Sequence, residues 1–201
     1  MSNEVKRLPL CEKARLVEFM NTYWGSIHPL INNEQLFNHY YVDGEWTNFY
    51  YLEDEGEMAV VCGYIKCAEC ENSDIWVSIW CAKKGKNGLG LTLMGKMQEM
   101  TGAKVMSCNN IRKKTMNFYT FLGYHPDEIK HYYRLRDLPE YKMAVVNNKN
   151  IPECDAPATN LVEFADIDTV KTNFDNFGAS SPRKDCWYIN RRYFNYPHYD
   201  Y

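Results

Sequence analysis

The sequence predicts a mixed α/β fold, in which an antiparallel meander is followed by a helix–strand–helix–strand unit. Two observations predict it. Three strand-like segments rich in β-branched and aromatic residues follow one another between residues 47 and 82, separated by short polar turns. After residue 87 the apolar spacing changes to that of a helix, and short strands then alternate with helices as far as residue 140.

Two helices are predicted before the meander. The first covers Cys11–Gly25, where the glycine ends it, and the second covers Glu34–Tyr41. The apolar residues of the first helix share one face: Leu16, Val17, Met20 and Trp24.

The meander begins at residue 47. Residues 47–67 predict two strands joined by an acidic turn at Glu53–Glu57, and Asp74–Ala82 predicts the third strand. Short connections between consecutive strands favour antiparallel pairing.

The later elements alternate. Residues 88–103 predict a helix with an apolar stripe, residues 104–108 a short strand, and residues 114–124 a helix that Gly123 caps. A last strand is predicted over residues 129–138. The stripe of the first of these helices consists of Leu89, Leu93, Met97 and Met100.

We therefore predict one domain over residues 1–140 and a C-terminal extension over residues 141–201. The extension contains a strand-like stretch at 141–148, a proline-containing linker at 148–160, a helix at 161–174 and an end rich in aromatic residues and arginine. This extension is either a complete element or the start of a second, similar half.

Composition excludes several classes of protein. The net charge of -3 over 201 residues does not favour nucleic acid or an anionic membrane as a partner. No apolar run approaches the ~20 residues of a membrane span, and no export signal is evident, so we expect a cytoplasmic protein with reduced cysteines. Cys67 and Cys70 form one C-x-x-C pair, and no second ligand pair suggests a metal. A metal site stays possible only if Cys62 and Cys81 are neighbours across two strands and supply further thiol ligands.

The segment Gly85–Gly90, Gly-Lys-Asn-Gly-Leu-Gly, predicts a glycine-rich loop between a strand and a helix. A P-loop needs Lys-Ser or Lys-Thr after its second glycine, where Leu91-Thr92 stand here, and a dinucleotide fingerprint needs a glycine in place of Leu93. Both are excluded. What remains is a helix start whose unpaired N–H groups favour an anion, or a solvated surface turn.

Together with a later segment, this loop resembles the GNAT superfamily of acyl-CoA N-acyltransferases. In that family a Gln/Arg-x-x-Gly-x-Gly/Ala loop holds the coenzyme A pyrophosphate, and a later helix carries an aromatic-Tyr pair followed by Leu-Gly-Phe/Tyr. Gly85–Gly90 matches the loop except at its first position, and Phe118-Tyr119 with Leu122–Tyr124 matches the second motif. The resemblance covers roughly residues 5–140. Residues 24–30, 74–80 and the C-terminal end also resemble a bacterial tandem-GNAT branch linked to surface-polysaccharide synthesis.

The resemblance implies acetyl-CoA as the cosubstrate. Backbone amides of Ile79, Trp80 and Cys81 would hold the thioester arm. The loop would hold the pyrophosphate with Gly85, Lys86, Asn87, Gly88, Leu89, Gly90 and Leu91. Arg112 would add a phosphate contact, or it belongs to a solvated basic cap at the helix start.

Two residues are candidates for catalysis. The resemblance makes Tyr119 the acid that protonates the departing thiolate, which suits a phenol of pKa ~10 facing a thiolate of pKa ~8.5; the alternative is a half-buried structural tyrosine. Several residues could serve as the base: His28, His39, His125, His131, Asp43 and Glu45. His28, on the loop after the first helix where this superfamily builds acceptor sites, is the candidate among them, although a lone histidine is more often structural. No carboxylate stands between Ile75 and Ala82, where many relatives place a base, so deprotonation through water is the other route.

The expected function is acetyl transfer to an amine of a small molecule, such as a nucleotide-linked amino sugar, without metal or nucleic acid; a homodimer stays open. Gly85 in place of Gln or Arg, and the missing strand carboxylate, favour the alternative of a non-catalytic GNAT-like binding module. Transfer from a charged tRNA is a third option, and the acidic balance counts against it.

Overall fold

The computed structural model describes residues 4–130, 138–141, 145–147, 149, 163–173 and 181–197. The strands are β1 Lys6–Pro9, β2 Val42–Asp43, β3 Trp46–Asp54, β4 Glu57–Lys66, β5 Ile75–Ala82 and β6 Met106–Cys108. The helices are α1 Lys13–Tyr23, α2 Pro29–Asn32, α3 Glu34–Tyr41, α4 Asn87–Thr101, α5 Met116–Phe121, α6 Ile167–Asn173 and α7 Cys186–Ile189. Short 3₁₀ turns precede α1 and α5, and a π-helical stretch, Asn190–Phe194, follows α7.

All six strands belong to one mixed sheet. Its order is β1-β3-β4-β5-β6, with β2 also paired to β3. The pairs β1–β3, β3–β4 and β4–β5 are antiparallel, whereas β5 and β6 run parallel. The mixed α/β class and the antiparallel meander are therefore confirmed.

The sheet is covered on both faces. On one face, α1, α2 and α3 pack over a core that includes Leu16, Phe37 and Phe49, all fully buried. On the other face, the apolar stripe of α4, with Leu93 and Met97, packs with α5 on the sheet. The apolar residues at helical spacing in α1, α3 and α4 thus form the faces of these helices that contact the sheet.

Gly63 on β4 allows the ring of Phe49 to pack directly on the sheet in the core beneath α1–α3. A Cβ at this position would lie 2.3 Å from Cε1 of Phe49, which is far below van der Waals contact. The Phe49 ring therefore lies directly on the β4 backbone, opposite Gly63 in the register of the two strands. No side chain other than hydrogen fits without displacing the ring.

A β-bulge interrupts β5 at Ser78. Tyr64 pairs with Val77 and Gly63 with Ile79, which leaves Ser78 as the extra residue. Before the bulge Val77 faces α4, whereas after it Ile79 faces α1–α3. The Ser78 hydroxyl donates to the Gly63 carbonyl (3.1 Å) and lies 2.8 Å from the hydroxyl of buried Tyr41. These bonds fix the bulge.

The C-terminal segment, residues 181–197, packs against the sheet. The Arg183 amide donates to Asp74 Oδ2 at 2.9 Å, and the Glu69 amide donates to Asp185 Oδ2 at 2.8 Å. Asp74 Oδ1 also accepts the Val105 amide, so one carboxylate ties the segment to the entry of β5 and β6.

Most helix boundaries agree with the prediction. The helix at Glu34–Tyr41 matches residue for residue, and α1 ends at Tyr23. Within residues 161–174 the described helix is shorter, Ile167–Asn173. Most of the predicted strands at 129–138 and 141–148, and of the linker at 148–160, lies outside the described residues.

Several short elements differ from the sequence prediction. The strands β1 and β2 and the helix α2 were not predicted, because two to four residues give too short a pattern. The cross-strand pairing of Cys62 with Cys81 is wrong. Cys62 pairs with Trp80 and Cys81 with Val61, so the two thiols enter the cores on opposite faces of the sheet.

Candidate functional site

A cleft opens where β5 and β6 part. β6 pairs only with Ile75–Val77, whereas β5 continues to Ala82. Two adjoining cavities of about 310 and 360 Å³ fill the gap and share Val77, Cys108, Ile111 and Tyr119. We call these cavities together the β5–β6 cleft. Their volumes are typical of small-molecule sites, which span ~300–1,000 Å³.

The backbone of β5 forms one wall of this cleft. Among the described residues, no strand pairs with Ile79, Trp80 and Cys81 on the side that β6 has left. Buried backbone donors and acceptors need partners. An extended polar chain in the cleft would supply them by continuing the ladder.

The glycine loop follows directly after this wall. Gly85 has a φ of +82°, a left-handed conformation that a Gln or Arg would adopt only with strain. The first bond of α4 runs from the Gly90 amide to the Lys86 carbonyl at 3.2 Å, and no side chain caps the helix. The amides of Asn87, Gly88 and Leu89 thus lack intrahelical partners, as an anion site requires.

The two glycines in the first turn of α4 differ in their surroundings. A Cβ on Gly90 would lie 3.4 Å from Trp80 Nε1, and the Gly90 carbonyl accepts from that nitrogen at 3.2 Å. A Cβ on Gly88 would meet nothing within 4 Å. Gly90 therefore packs the helix on β5, whereas Gly88 leaves open space before the helix start; Leu91, in the same turn, is half-buried.

Two of the three loop lysines are held by carboxylates. Lys83 Nζ lies 2.6 Å from Glu57, and Lys86 Nζ lies 2.5 Å from Asp54, both on the β3–β4 hairpin. Each hydrogen bond raises the pKa of its lysine. Lys84 is exposed and forms no ion pair with a described residue. The loop therefore offers one uncommitted lysine and its backbone amides.

Tyr119 stands at the junction of the two cavities. Its side chain is buried, and its ring contacts Trp80 edge-on with centroids 5.5 Å apart. The hydroxyl lies 3.6 Å from Cys108 Sγ. Burial, with the neighbouring Cys108, raises the pKa of Tyr119 far above its usual value. The phenol therefore keeps its proton at neutral pH, so Tyr119 is available there as a proton donor and not as a base.

Arg112 lies at the rim of the cleft with Lys114 and Thr115. Lys113, between them, points away and pairs with Glu128 at 3.0 Å. The basic run thus divides, and two of its cations border the cleft, where phosphate groups would meet them.

His28 does not line the β5–β6 cleft. It precedes α2, and its ring contacts Trp24, which does line the cleft, with centroids 5.1 Å apart. Its buried Nδ1 has no hydrogen-bond partner among the described residues, and burial lowers the pKa of the imidazole. A catalytic role for His28 stays a prediction, and the geometry shows a histidine one residue removed from the cleft.

Sequence reasoning missed two residues of the site. Cys108, the partner of Tyr119, closes a three-residue strand with no motif of its own. Ser78 is the one small polar residue in an otherwise apolar and aromatic strand, and this was the available signal for an irregularity.

No metal site or membrane helix is found in the part of the chain that the structure describes. No cluster of three or more His, Cys, Asp or Glu side chains there is arranged to hold a metal ion. None of the described helices has the length and apolar character needed to cross a membrane.

No protein-family model matches the chain, and no curated protein matches it. Among solved structures, it is similar to an aminoglycoside N-acetyltransferase, AAC(6')-Iy in complex with CoA (11% identity, 67% of this chain, 95% of that chain, TM-score 0.49). It is similar to aminoglycoside 6'-N-acetyltransferase AAC(6')-Ih from Acinetobacter baumannii (6%, 67%, 98%, 0.49). It is also similar to a GNAT family acetyltransferase from Staphylococcus aureus, with 13% identity over 67% of this chain and 100% of that chain and a TM-score of 0.47. All three TM-scores lie below 0.5.

Proposed function

We propose that this chain is a coenzyme A-dependent N-acyltransferase of the GNAT type, which transfers an acetyl group from acetyl-CoA to an amine of a small molecule. The observation that carries the proposal is the β5–β6 cleft. The cleft has an unpaired strand wall at Ile79–Cys81 and a protonated phenol, Tyr119, at the point where the strands part. The glycine loop and the uncapped start of α4 follow directly after that wall and lie outside the lining of the two cavities. The resemblance in sequence concerns these same segments.

The residues fit coenzyme A in three places. The free backbone of β5 suits the amide groups of an extended pantetheine arm. The amides at Asn87–Leu89, with Arg112 and Lys84, suit the pyrophosphate. Tyr119, buried beside Trp80, suits the neighbourhood of the sulfur.

Tyr119 would supply the proton that the leaving thiolate needs. Its hydroxyl is already placed beside a sulfur, that of Cys108. General acid catalysis by a positioned group contributes ~10²–10⁴-fold in rate. Attack of the amine on the thioester would be direct, with the proton of the amine leaving through water or an unassigned base.

Binding of acetyl-CoA tests the proposal. Calorimetric titration should give a 1:1 complex, and Gly88→Glu should abolish it, because a carboxylate would enter the space before the helix start where the phosphates bind. Gly88→Ala is the matched control: its Cβ meets nothing within 4 Å, so binding should persist. No binding by the folded wild-type chain at millimolar acetyl-CoA would refute the proposal.

A binding module without catalysis is the second candidate. The observation that favours it is that no Asp, Glu or His lines the cavity that contains Arg112, among the residues that the structure describes, and that the adjoining cavity adds only the exposed His125. This candidate predicts acetyl-CoA binding without release of free thiol in the presence of any amine. Thiol release measured across a panel of amino sugars and their nucleotide-linked forms separates the two.

A further inference from the structure

A second cavity, here called the aromatic cavity, lies on the α3 face of the sheet and is covered by the C-terminal segment. Its volume is about 330 Å³, comparable to the ~300–1,000 Å³ of small-molecule sites. Its rings come from α3, β5 and the C-terminal segment: His39, Tyr40, Trp76, Trp187, Tyr188 and Tyr196. Tyr196 contacts His39 and Tyr40, so the segment and α3 close the cavity together.

The charged side chains that line this cavity are all cations. Lys66 comes from β4, and Lys184, Arg191 and Arg192 come from the C-terminal segment. No Asp or Glu is present in the described lining. Lys66, Lys184 and Arg191 form no ion pair with a described residue. Lys66, Lys184 and Arg191 therefore bring positive charge to the cavity that no ion pair with a described residue neutralises.

Two acids outside the cavity lining, Asp43 and Glu69, act on Arg191 electrostatically, and Asp43 also acts on Lys66. The Asp43 carboxylate is bound to Arg7 at 2.7 Å, and Glu69 is exposed on the turn after β4. Neither lines the cavity.

Arg191 is held in a position suited to an anion. It is half-buried, burial lowers its pKa, and its guanidinium lies 4.3 Å from the centre of the Trp187 ring. A partly desolvated cation without a carboxylate partner is costly unless a ligand supplies the negative charge. His39 adds a buried Nε2 that has no hydrogen-bond partner among the described residues.

The aromatic cavity adjoins the β5–β6 cleft. Asn109, directly after β6, lines both. Trp76 lines the aromatic cavity, and its neighbour Val77 lines the cleft. A ligand anchored beside Arg191 can therefore extend past Asn109 toward Tyr119.

We propose that the aromatic cavity binds a phosphoryl group of the acceptor, so that the acyl acceptor is a phosphorylated amine whose ring packs on the aromatic walls. The planar guanidinium of Arg191, packed on the Trp187 ring, can donate two parallel hydrogen bonds to phosphate oxygens, and Lys66 and Lys184 in the same lining add positive charge. That the bound phosphoryl group belongs to an acyl acceptor rests on the proposed function. That the cavity binds an anion can be tested without catalysis.

The test is calorimetric titration of the full chain, without acetyl-CoA, at low salt. The probes are glucosamine 6-phosphate, glucosamine and uridine 5′-diphosphate. We expect glucosamine 6-phosphate to bind at least tenfold more tightly than glucosamine, and its affinity to fall as NaCl is raised. Binding of the uridine nucleotide alone supports the site with a nucleotide as the source of the phosphoryl group. Failure of both phosphorylated probes, or equal affinity for glucosamine and its phosphate, overturns it.

Variants assign the binding to this cavity. Arg191→Ala should weaken binding of the phosphorylated probe by about tenfold or more, the scale of charge-assisted hydrogen bonds. Arg191→Lys should lose less. Lys96→Ala, an exposed cation on α4, is the matched control and should change nothing. If Arg191→Ala does not fold, Lys66→Ala replaces it. An unchanged affinity in a folded Arg191→Ala chain contradicts the proposal.

The two proposals fail separately. Arg191→Ala should leave the acetyl-CoA affinity unchanged, because Arg191 does not line the β5–β6 cleft. Phosphate binding without acetyl-CoA binding would refute the acyltransferase and retain the anion site. The reverse result would retain the acyltransferase and refute the anion site.

Discussion

At the scale of single residues, Tyr119 is held in the cleft by contacts to both its hydroxyl and its ring. Its hydroxyl meets one partner, Cys108, and its ring is fixed by Trp80 and Tyr124. A phenol in this setting is either a proton donor for a reacting sulfur or a packing element, and substitution distinguishes the two.

We expect Tyr119→Phe to lower kcat by ~10²–10⁴-fold, because the general acid is lost while the ring is kept. The calorimetric affinity for acetyl-CoA should stay as in the wild type. Cys108→Ala is the control: under direct attack this thiol takes no part, so activity should persist. Wild-type activity in Tyr119→Phe would show that the tyrosine only packs.

Gly63 is a second residue whose identity the packing dictates. Gly63→Ala should destabilise the protein by ~1–3 kcal/mol, because its Cβ would overlap the ring of Phe49 in a close-packed layer. Chemical denaturation measures the change. Gly88→Ala, where a Cβ has open space, should cost nothing and serves as the control; an unchanged Gly63→Ala midpoint would contradict the close packing.

At the scale of elements, the irregularity of β5 produces the cleft. The bulge at Ser78 immediately follows the last residue paired with β6, Val77. A bulge bends its strand and increases the local twist. The strand therefore diverges from β6 at the position where Tyr119 is placed, and the hydrogen bond from Tyr41 holds it there.

Tyr41→Phe should cost ~1 kcal/mol of stability through the lost hydrogen bond to Ser78, and it should also weaken acetyl-CoA binding, because the bulge shapes the cleft. Denaturation and calorimetry measure the two effects. Tyr50→Phe is the matched control. It removes a hydrogen bond to the Met100 carbonyl (2.9 Å), at the end of α4, and leaves the bond between Tyr41 and Ser78 in place, so stability alone should fall. Equal acetyl-CoA affinities in both variants would separate the bulge from the site.

At the scale of the whole molecule, two half-buried histidines make stability depend on pH. Burial lowers the pKa of His28 and of His39, and Arg191 adds to the effect at His39. The unfolded chain therefore takes up protons first, starting near the ordinary histidine pKa of ~6.5, and the folded state loses stability as pH falls from there toward the lowered values.

We expect the melting temperature to be constant from pH 8 to 7 and to fall between pH 6.5 and 5. This pH range lies above the range in which carboxylates titrate. The double variant His28→Gln with His39→Gln should show a smaller fall over the same range. The lowered pKa values of Asp43 and Glu53 place their contribution at more acidic pH. His125→Gln, at an exposed site, is the control and should keep the slope. A slope that survives the double variant would assign it to other groups.

Much of the fold could be predicted because its signals are local. Apolar residues at helical spacing located α1, α3 and α4, and alternating apolar and aromatic residues located β3, β4 and β5. The site was harder to predict. The loop motif located the start of α4 but gave neither the carboxylate partners of Lys83 and Lys86 nor the left-handed backbone that requires glycine at position 85.

The mixed α/β class, the meander, the glycine loop and the helix that carries Tyr119 follow from the order of the residues, since these features depend on the period of apolar residues and on short-range turn chemistry. The tertiary structure alone decided which face each side chain of β5 takes, because the Ser78 bulge reverses an alternation that runs unbroken in the sequence. It also decided that Arg191 and Lys66, 125 residues apart, line one cavity. Contacts over such separations follow from chain packing and leave no periodic pattern in the sequence.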